Sequence, residues 1–382
     1  MSALVPDVMA SGFVLPHDLE AHEPPEARGL ARDGVRLLVS YNGTGRIGHH
    51  TFADLPGLLQ PGDLLVVNNS ATLPAAVRLD RLAVHFSTER EDGTWLVELR
   101  HRTGRRTGPE GGDAAQDARN PRESGTSTAG TVKRQAPGTD PDPDPAGEPY
   151  AGGVPGEWLP LPGGATLHLL ERETPRLWRA RLDREVPSYL RRYGMPIRYS
   201  YVKRDWPPAD YQTVFGIRYG SAEMPSAGRP FTTGLVTRLV SHGVGIAPIT
   251  LHTGVASPEK DEPPYPERFE VPEATARQVE FTRESGGRVI AVGTTVVRAL
   301  ETAALPDGRV RAAQGWTSHL VTPATGVRAV HGMVTGLHEP RSSHLLMLSA
   351  IAGGELLSAS YAEALREGYL WHEFGDTHLI LP

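Results

Sequence analysis

The run Gly286-Gly-Arg-Val-Ile-Ala-Val-Gly-Thr-Thr-Val-Val-Arg-Ala-Leu-Glu301 carries the best-placed chemical groups in the chain. Residues 288–292 read as a buried strand, and Gly293 turns the chain into a helix over 294–304. A helix that starts at a strand end presents free N–H groups and the positive end of its dipole, which favour an anionic group. Thr294 or Thr295 is placed to cap that helix, and Arg298, one turn in, can hold a carboxylate in a bidentate fork. The competing reading is a capped core helix whose Arg298 pairs with Glu301 or another acid, and the residues alone leave both open. A second candidate is Leu64-Leu-Val-Val-Asn68-Asn69, a buried strand ending in two amides. Asn68 and Asn69 can serve a purine or ribose, though an Asx-turn that ends the strand is the commoner use of such a pair.

His252 closes an apolar strand over 245–252, and His338 lies in Thr335-Gly-Leu-His-Glu-Pro340. Either can act as a general base near neutral pH, and either can be an ordinary structural histidine. The 15 histidines show neither H-E-x-x-H nor H-x-x-x-H spacing, and cysteine is absent, so no metal site is expected. Thiol catalysis and disulfides are excluded with it. There is no Gly-Lys pair for a P-loop and no G-x-S-x-G elbow. Gly43-Thr-Gly45-Arg-Ile-Gly48 matches G-x-G-x-x-G, but the 52–59 stretch that follows contains Pro56 and Gly57 and cannot supply the full helix a dinucleotide needs. Asn42-Gly43 reads instead as a hairpin turn.

The elements that hold these groups come from a chain of 382 residues, 39% hydrophobic and 22% charged, enough for two or three domains. Residues 103–148 contain Val132 as their only large aliphatic or aromatic residue and are rich in Gly, Pro and mixed charge. Such a segment cannot offset its ordering entropy by burial and is expected to be a disordered insert. Strand-like 95–100 and 158–170 flank it, so it reads as an overgrown connection in a β-rich module spanning 73–186. Outside that module strand and helix alternate, which gives an α/β fold class for 1–72 plus 187–382. No basic n-region or long apolar run occurs, which points to a cytoplasmic enzyme without membrane contact. The net charge of −6 excludes a bulk nucleic-acid binder, so RNA contact would need a local patch. The densest basic group is Arg172, Arg176, Arg179, Arg181, Arg184, Arg191 and Arg192, read as mainly solvated or structural.

The segments Phe13-Val-Leu-Pro-x-x-Leu19, Pro24-Pro-Glu-x-Arg28, 64–69, Tyr211-Gln-Thr-Val-Phe215, 288–298, Leu345-Leu-Met-Leu348 and Tyr369…Phe374-Gly-Asp376 occur in order. Together they resemble the S-adenosylmethionine:tRNA ribosyltransferase-isomerase family of queuosine biosynthesis, over all but 103–150. The resemblance implies a larger α/β domain with an inserted smaller β-barrel. It also implies S-adenosylmethionine as co-substrate, with its ribosyl unit passed to the aminomethyl group of 7-aminomethyl-7-deazaguanine in tRNA. Epoxyqueuosine, adenine and methionine are the products, and no metal is required. Such chemistry needs a base beside the sulfonium, an acid for adenine and contacts for the methionine carboxylate. In-motif Glu267 and Asp376 become carboxylate candidates for a cavity that receives the sulfonium, alongside His252 and His338 as proton carriers. Asn68, Asn69, Gly293, Thr294, Thr295 and Arg298 become candidates for binding the co-substrate.

The chain also departs from that pattern. N-N-T-[RK]-V-x-P-A-R becomes Asn68-Asn-Ser-Ala71-Thr-Leu-Pro74-Ala-Ala76, and A-P-T-A-G-L-H-F-T becomes Met224-Pro-Ser-Ala-Gly-Arg229-Pro230-Phe-Thr232. G-T-F-R-P is replaced within 256–262, M-H-S-E becomes Pro264-Tyr-Pro-Glu267, and T-N-F-H-L-P becomes Thr335-Gly336-Leu-His338-Glu339-Pro340. A kept donor site with a changed acceptor site allows three readings: the family reaction on tRNA, the same chemistry on a small-molecule acceptor, or a non-catalytic S-adenosylmethionine-binding paralogue. Because a loop costs only about 0.6 kcal/mol per doubling of length, replacing 103–148 by a short Gly/Ser link is expected to shift the melting temperature by no more than a few degrees, roughly 1 kcal/mol. Loss of soluble protein on that replacement would show that the insert packs.

Overall fold

The computed structural model describes residues 13–102, 148–255, 265–340 and 342–382. The expected disordered insert, apart from Glu148, and the rewritten 256–262 run lie outside the described residues.

β1 (Arg36–Tyr41) and β2 (Ile47–Thr51) form an antiparallel hairpin, so the G-x-G-x-x-G segment is a turn, as expected, with Gly45 at φ +68°. After the short α1 (Leu55–Leu58) comes β3 (Leu64–Asn68), every residue of it buried. β4 (Ser70–Thr72) then carries the chain into six antiparallel strands: β5 (Ala76–Arg78), β6 (Leu82–Glu89), β7 (Trp95–His101), β8 (Trp158–Leu161), β9 (Ala165–Arg172) and β10 (Leu177–Leu182). Their order is β5-β6-β7-β10-β9-β8, with bulges in β6 and β10 that curl the sheet. The resemblance implies a barrel, but among the described residues β5 and β8 do not pair, so the ladder stays open. Each bulged strand still keeps its apolar face on one core around Phe86, Leu167 and Trp178.

The Arg172–Arg192 cluster is largely spent on neighbours. Arg172 donates to the carbonyls of Ala151, Gly152 and Pro175, Arg179 pairs with Glu171, and Arg184 with Asp183. Arg176, 6% exposed, binds Glu98, 1% exposed, with Nε–Oε1 at 2.9 Å.

α2 (Val186–Tyr193), capped by Glu185, closes this part. β11 (Arg218–Ser221) pairs with β4, and α3 (Thr233–Ser241) starts at a Thr232 cap. β12 (Gly245–His252), β13 (Glu267–Val271), α4 (Glu273–Glu284), β14 (Val289–Val292), α5 (Thr294–Ala303), β15 (Ala313–Thr317), β16 (Gly332–Gly336), α6 (His344–Ala352), α7 (Gly354–Arg366) and β17 (Thr377–Leu381) follow. A nine-stranded mixed sheet results, ordered β15-β13-β12-β3-β14-β16-β17-β1-β2. Successive residues of its centre feed opposite cores: Leu64, Val66, Val289 and Ala291 pack with α4–α7, and Leu65, Val67, Ile290 and Val292 with α1 and α3. Continuous apolar strands are what such two-sided burial requires. Among the described residues no single helix is long and apolar enough to cross a membrane.

Removing one partner of a buried ion pair strands the other charge, so Arg176→Ala should cost about 3 kcal/mol in urea unfolding. A loss below about 0.5 kcal/mol would show that Arg100, which also binds Glu98, carries the carboxylate alone.

Candidate functional site

β12, β3, β14 and β16 run parallel, so Asn68, His252, Gly293 and the Gly336–His338 turn leave the sheet at one edge. β13 opposes β12 with His252 beside Arg268, and β17 opposes β16 with Gly336 beside Thr377. Glu267 and Asp376 therefore fall on the same edge, and every site residue expected from sequence shares it. They do not share one cavity. Glu267 and Asp376 lie five strand steps apart, roughly 24 Å at about 4.8 Å per step.

Near β13 the groups interlock. The Arg298 guanidinium pairs with Glu267, and it also donates to the carbonyls of His319 at 3.2 Å and Thr317 at 3.3 Å. Glu267 takes a second bond from the Gly254 N–H at 3.2 Å. Burial raises its carboxyl above the usual range, against the opposing pull of Arg298. The acid that Arg298 finds is thus Glu267, not Glu301, which instead accepts the N–H groups of Arg328 and Ala329.

The caps expected of Thr294 and Thr295 are not made. Gly293 is the N-cap residue, at φ +93°, and no side chain caps α5. Thr295 Oγ1 instead accepts from Asn68 Nδ2 at 3.2 Å. Asn68 spends its remaining capacity on the Leu251 carbonyl (2.8 Å), the Leu251 N–H (3.0 Å) and the Ser70 N–H (3.0 Å). That is an Asx-turn, and it leaves Asn68 nothing for a purine or ribose. Asn69 Oδ1 accepts from Thr250 at 2.7 Å.

His252 Nδ1 meets Ser70 Oγ at 2.8 Å, and that hydroxyl meets Ser221 Oγ at 2.6 Å. The ring lies flat against Gly220, where a Cβ would sit 2.5 Å from Nδ1. Burial, helped by Arg268 and Arg218, lowers His252 to about 4. His338 Nε2 bonds Thr335 at 2.9 Å, and burial drives its pKa well below the ordinary value. Neither histidine has the basicity near neutral pH that sequence allowed. Asp376 accepts the Arg36 and Leu370 N–H groups, both at 2.8 Å, and burial raises its pKa. Both oxygens hold backbone, so Asp376 fastens β1 to the turn before β17.

Sequence reasoning missed Ser70, the first residue of β4, Ser221, the last of β11, and the loop residues Glu223 and Glu373, which come from far apart in the chain. Only Glu373 gave a signal, as the neighbour of the matched Phe374-Gly-Asp376. Among the described residues, His17, Glu20 and His22 have ligand atoms within 4.8 Å of one another. They lie in the N-terminal segment.

The chain belongs to the queuosine biosynthesis protein family, whose pattern it matches over residues 9–380. An S-adenosylmethionine:tRNA ribosyltransferase-isomerase of Moorella thermoacetica is 33% identical, over 97% of this chain and 98% of its own length. One of Gloeobacter violaceus is 35% identical over 97% and 94%. The crystal structure of an S-adenosylmethionine tRNA ribosyltransferase from Thermotoga maritima is similar at a TM-score of 0.50 and 26% identity, covering 97% of this chain and 99% of that one.

Burial holds His85 and His378 near about 3, and His252 and His344 near about 4. Unfolded imidazoles titrate near ~6.5, so between these values the unfolded chain binds more protons and stability rises with pH. The histidines' contribution is complete above that range and drains away as pH falls toward 4, while the raised carboxyls of Glu267, Glu373 and Asp376 oppose it in part. Melting temperatures taken from pH 7 to pH 4.5 should drop steadily, and less steeply in His252→Gln. A flat profile would contradict the buried neutral histidines.

Proposed function

We propose that the chain works as an S-adenosylmethionine:tRNA ribosyltransferase-isomerase in queuosine biosynthesis, releasing adenine and methionine as it modifies the aminomethyl-deazaguanine of tRNA. The likeness along 97% of the chain to relatives of that name carries this reading. The uncapped start of α5 at a parallel-strand edge supports it, because such an end suits the carboxylate of a methionine. No observation favours the small-molecule acceptor or the non-catalytic paralogue. On this reading the chain divides into 1–72 plus 187–382, which holds the reaction, and an inserted barrel-like domain over 73–186 that carries the 103–148 segment.

The Glu267–Arg298 pair suggests how the residues act. The methionine carboxylate lies against Gly293, Thr294 and Thr295 and takes over the Arg298 fork. Glu267 then loses its cation while still buried, and its basicity rises. That makes it the base for the proton next to the sulfonium. Asn69 faces the same edge and serves the adenosyl end. His252, neutral and tied to the Ser70–Ser221 hydroxyls, positions that end, while His338 and Asp376 hold the loops that border it.

Arg298→Ala should weaken S-adenosylmethionine binding by about 1.5–3 kcal/mol in calorimetry. Glu267→Gln should keep that binding and lose tRNA-dependent adenine release. Full release by Glu267→Gln would remove it as the base. Absence of adenine release from the wild type with correctly modified tRNA would sink the reaction itself.

A further inference from the structure

His17, Glu20 and His22 take no part in the proposed reaction, yet they are gathered as ligands are. Each offers an atom within 4.8 Å of the other two. Glu20 stands on a segment that runs beside Trp371. The Ala21 N–H reaches the Trp371 carbonyl at 3.1 Å, and the Trp371 N–H reaches the Leu19 carbonyl at 2.8 Å. That pairing sets the Glu20 carboxylate against the next residue, His372, whose Nε2 lies 3.6 Å from Oε1. On the other side Oε2 touches His17 Nδ1, yet it is closed off from solvent and makes no hydrogen bond. One carboxylate thus lies between two imidazoles and hydrogen-bonds neither.

His372 points to what would join them. Its side chain is 7% exposed, and Nε2 has no hydrogen-bond partner among the described residues. At 3.6 Å the approach to Glu20 is too long for a hydrogen bond. It is close to the spacing of two donors that share one ion, since ligands about 2.0–2.1 Å from a tetrahedral zinc stand roughly 3.3 Å apart. The ring is also held for that use. Tyr201 stacks on it with ring centroids 4.0 Å apart, and Glu339 lies 3.6 Å from Nδ1, on the side where a carboxylate favours the tautomer that leaves Nε2 a lone pair. The backbone of His372 is at φ +75°, a conformation non-glycine residues rarely adopt. His22 is prepared in the same way. Its Nδ1 donates to the Tyr201 carbonyl at 2.6 Å, so Nε2 is free to ligate.

The donor set selects the ion. Three imidazoles and one carboxylate suit zinc, whereas magnesium and calcium take shells of oxygen. The charges that act most on His372 are those of Glu339, Glu20 and His22. Arg28 is engaged elsewhere, donating to the Phe374 carbonyl at 2.9 Å and drawn chiefly to the Asp376 charge. Spacing along the chain hid the group. His17-x-x-Glu20-x-His22 matches neither histidine pattern of a helical metal site, and the fourth donor arrives from the turn before β17.

We propose that His17, Glu20, His22 and His372 bind one zinc ion, which staples the N-terminal segment to the turn that Asp376 fastens to β1. Four protein donors leave no open position for a substrate, so the site is structural. It does not depend on the proposed reaction.

The test uses the full chain, free of any affinity tag, stripped with a chelator and titrated with zinc. Calorimetry should give one site per chain with a dissociation constant on the order of 0.1 μM or tighter, and zinc should raise the melting temperature. His22→Asn and His372→Asn should each weaken the site by roughly a hundredfold or more. Asparagine tolerates positive φ, so His372→Asn keeps the backbone of that turn. His17 is exposed, so His17→Asn tests the site without disturbing packing and should weaken it too. No zinc binding by the stripped wild type overturns the proposal, and so does a tight site that survives any of the three variants. Weak binding at several positions, unchanged in the variants, means adventitious surface binding only and overturns it as well.

Discussion

The amide of Asn68 stands in for a strand at the point where β3 has to end. β3 and β12 pair along their main chains up to Asn68 and Ile249, and there β3 must turn away. The Asn68 side chain continues the ladder by taking both the N–H and the carbonyl of Leu251. Without it two buried backbone groups would lie unpaired, each at about 1–3 kcal/mol. With it β12 runs on in register to His252, where β13 pairs and Glu267 is delivered. The same amide reaches Thr295 and so sets the first turn of α5 against the strand ends. The opening between β3 and β12, the route into the six-stranded sheet and the start of α5 all hang on one side chain with no spare hydrogen-bonding capacity.

That arrangement explains why a buried ion pair persists beside it. Arg298 projects from α5 into a space closed by the β15 end, and its carbonyl partners at Thr317 and His319 cannot neutralise it. Glu267 supplies the counter-charge from β13. Such a pair gives little net stability, because desolvation consumes most of the attraction. On the proposed reading its value lies in being exchangeable: an incoming carboxylate replaces Glu267 as the partner of Arg298.

The strand–glycine–helix run 288–303 was legible because apolar continuity and a glycine are local signals, and so were β12, β3 and the hairpin at 42–43. What could not be read are contacts set by topology. Glu267 and Arg298 sit 31 positions apart with no periodicity between them. The choice between Thr294, Thr295 and Gly293 as the cap depended on Asn68, which claims Thr295 from another strand. Asp376 looked like a catalytic carboxylate because its motif is intact, yet its oxygens hold the backbone of Arg36 and Leu370. In the arginine cluster, Arg176 meets Glu98, Arg179 meets Glu171 and Arg184 meets its neighbour Asp183, so these members serve the structure. Barrel closure is a matter of two edge strands far apart in sequence, and their unpaired edges leave no trace in composition.

The electrostatics of the edge run in one direction from end to end. Burial strips charge from His252, His338 and His344, and it raises the carboxyls of Glu267 and Glu373, whose ionised forms are costly without a cation. On the proposed reading two cations arrive, a sulfonium and an ammonium, and in a poorly screened site they repel each other. Nitrogen cannot attack while it is protonated, and the sulfonium stays a net cation until the proton next to it is removed. The ammonium proton must therefore leave before the nitrogen meets the ribosyl unit.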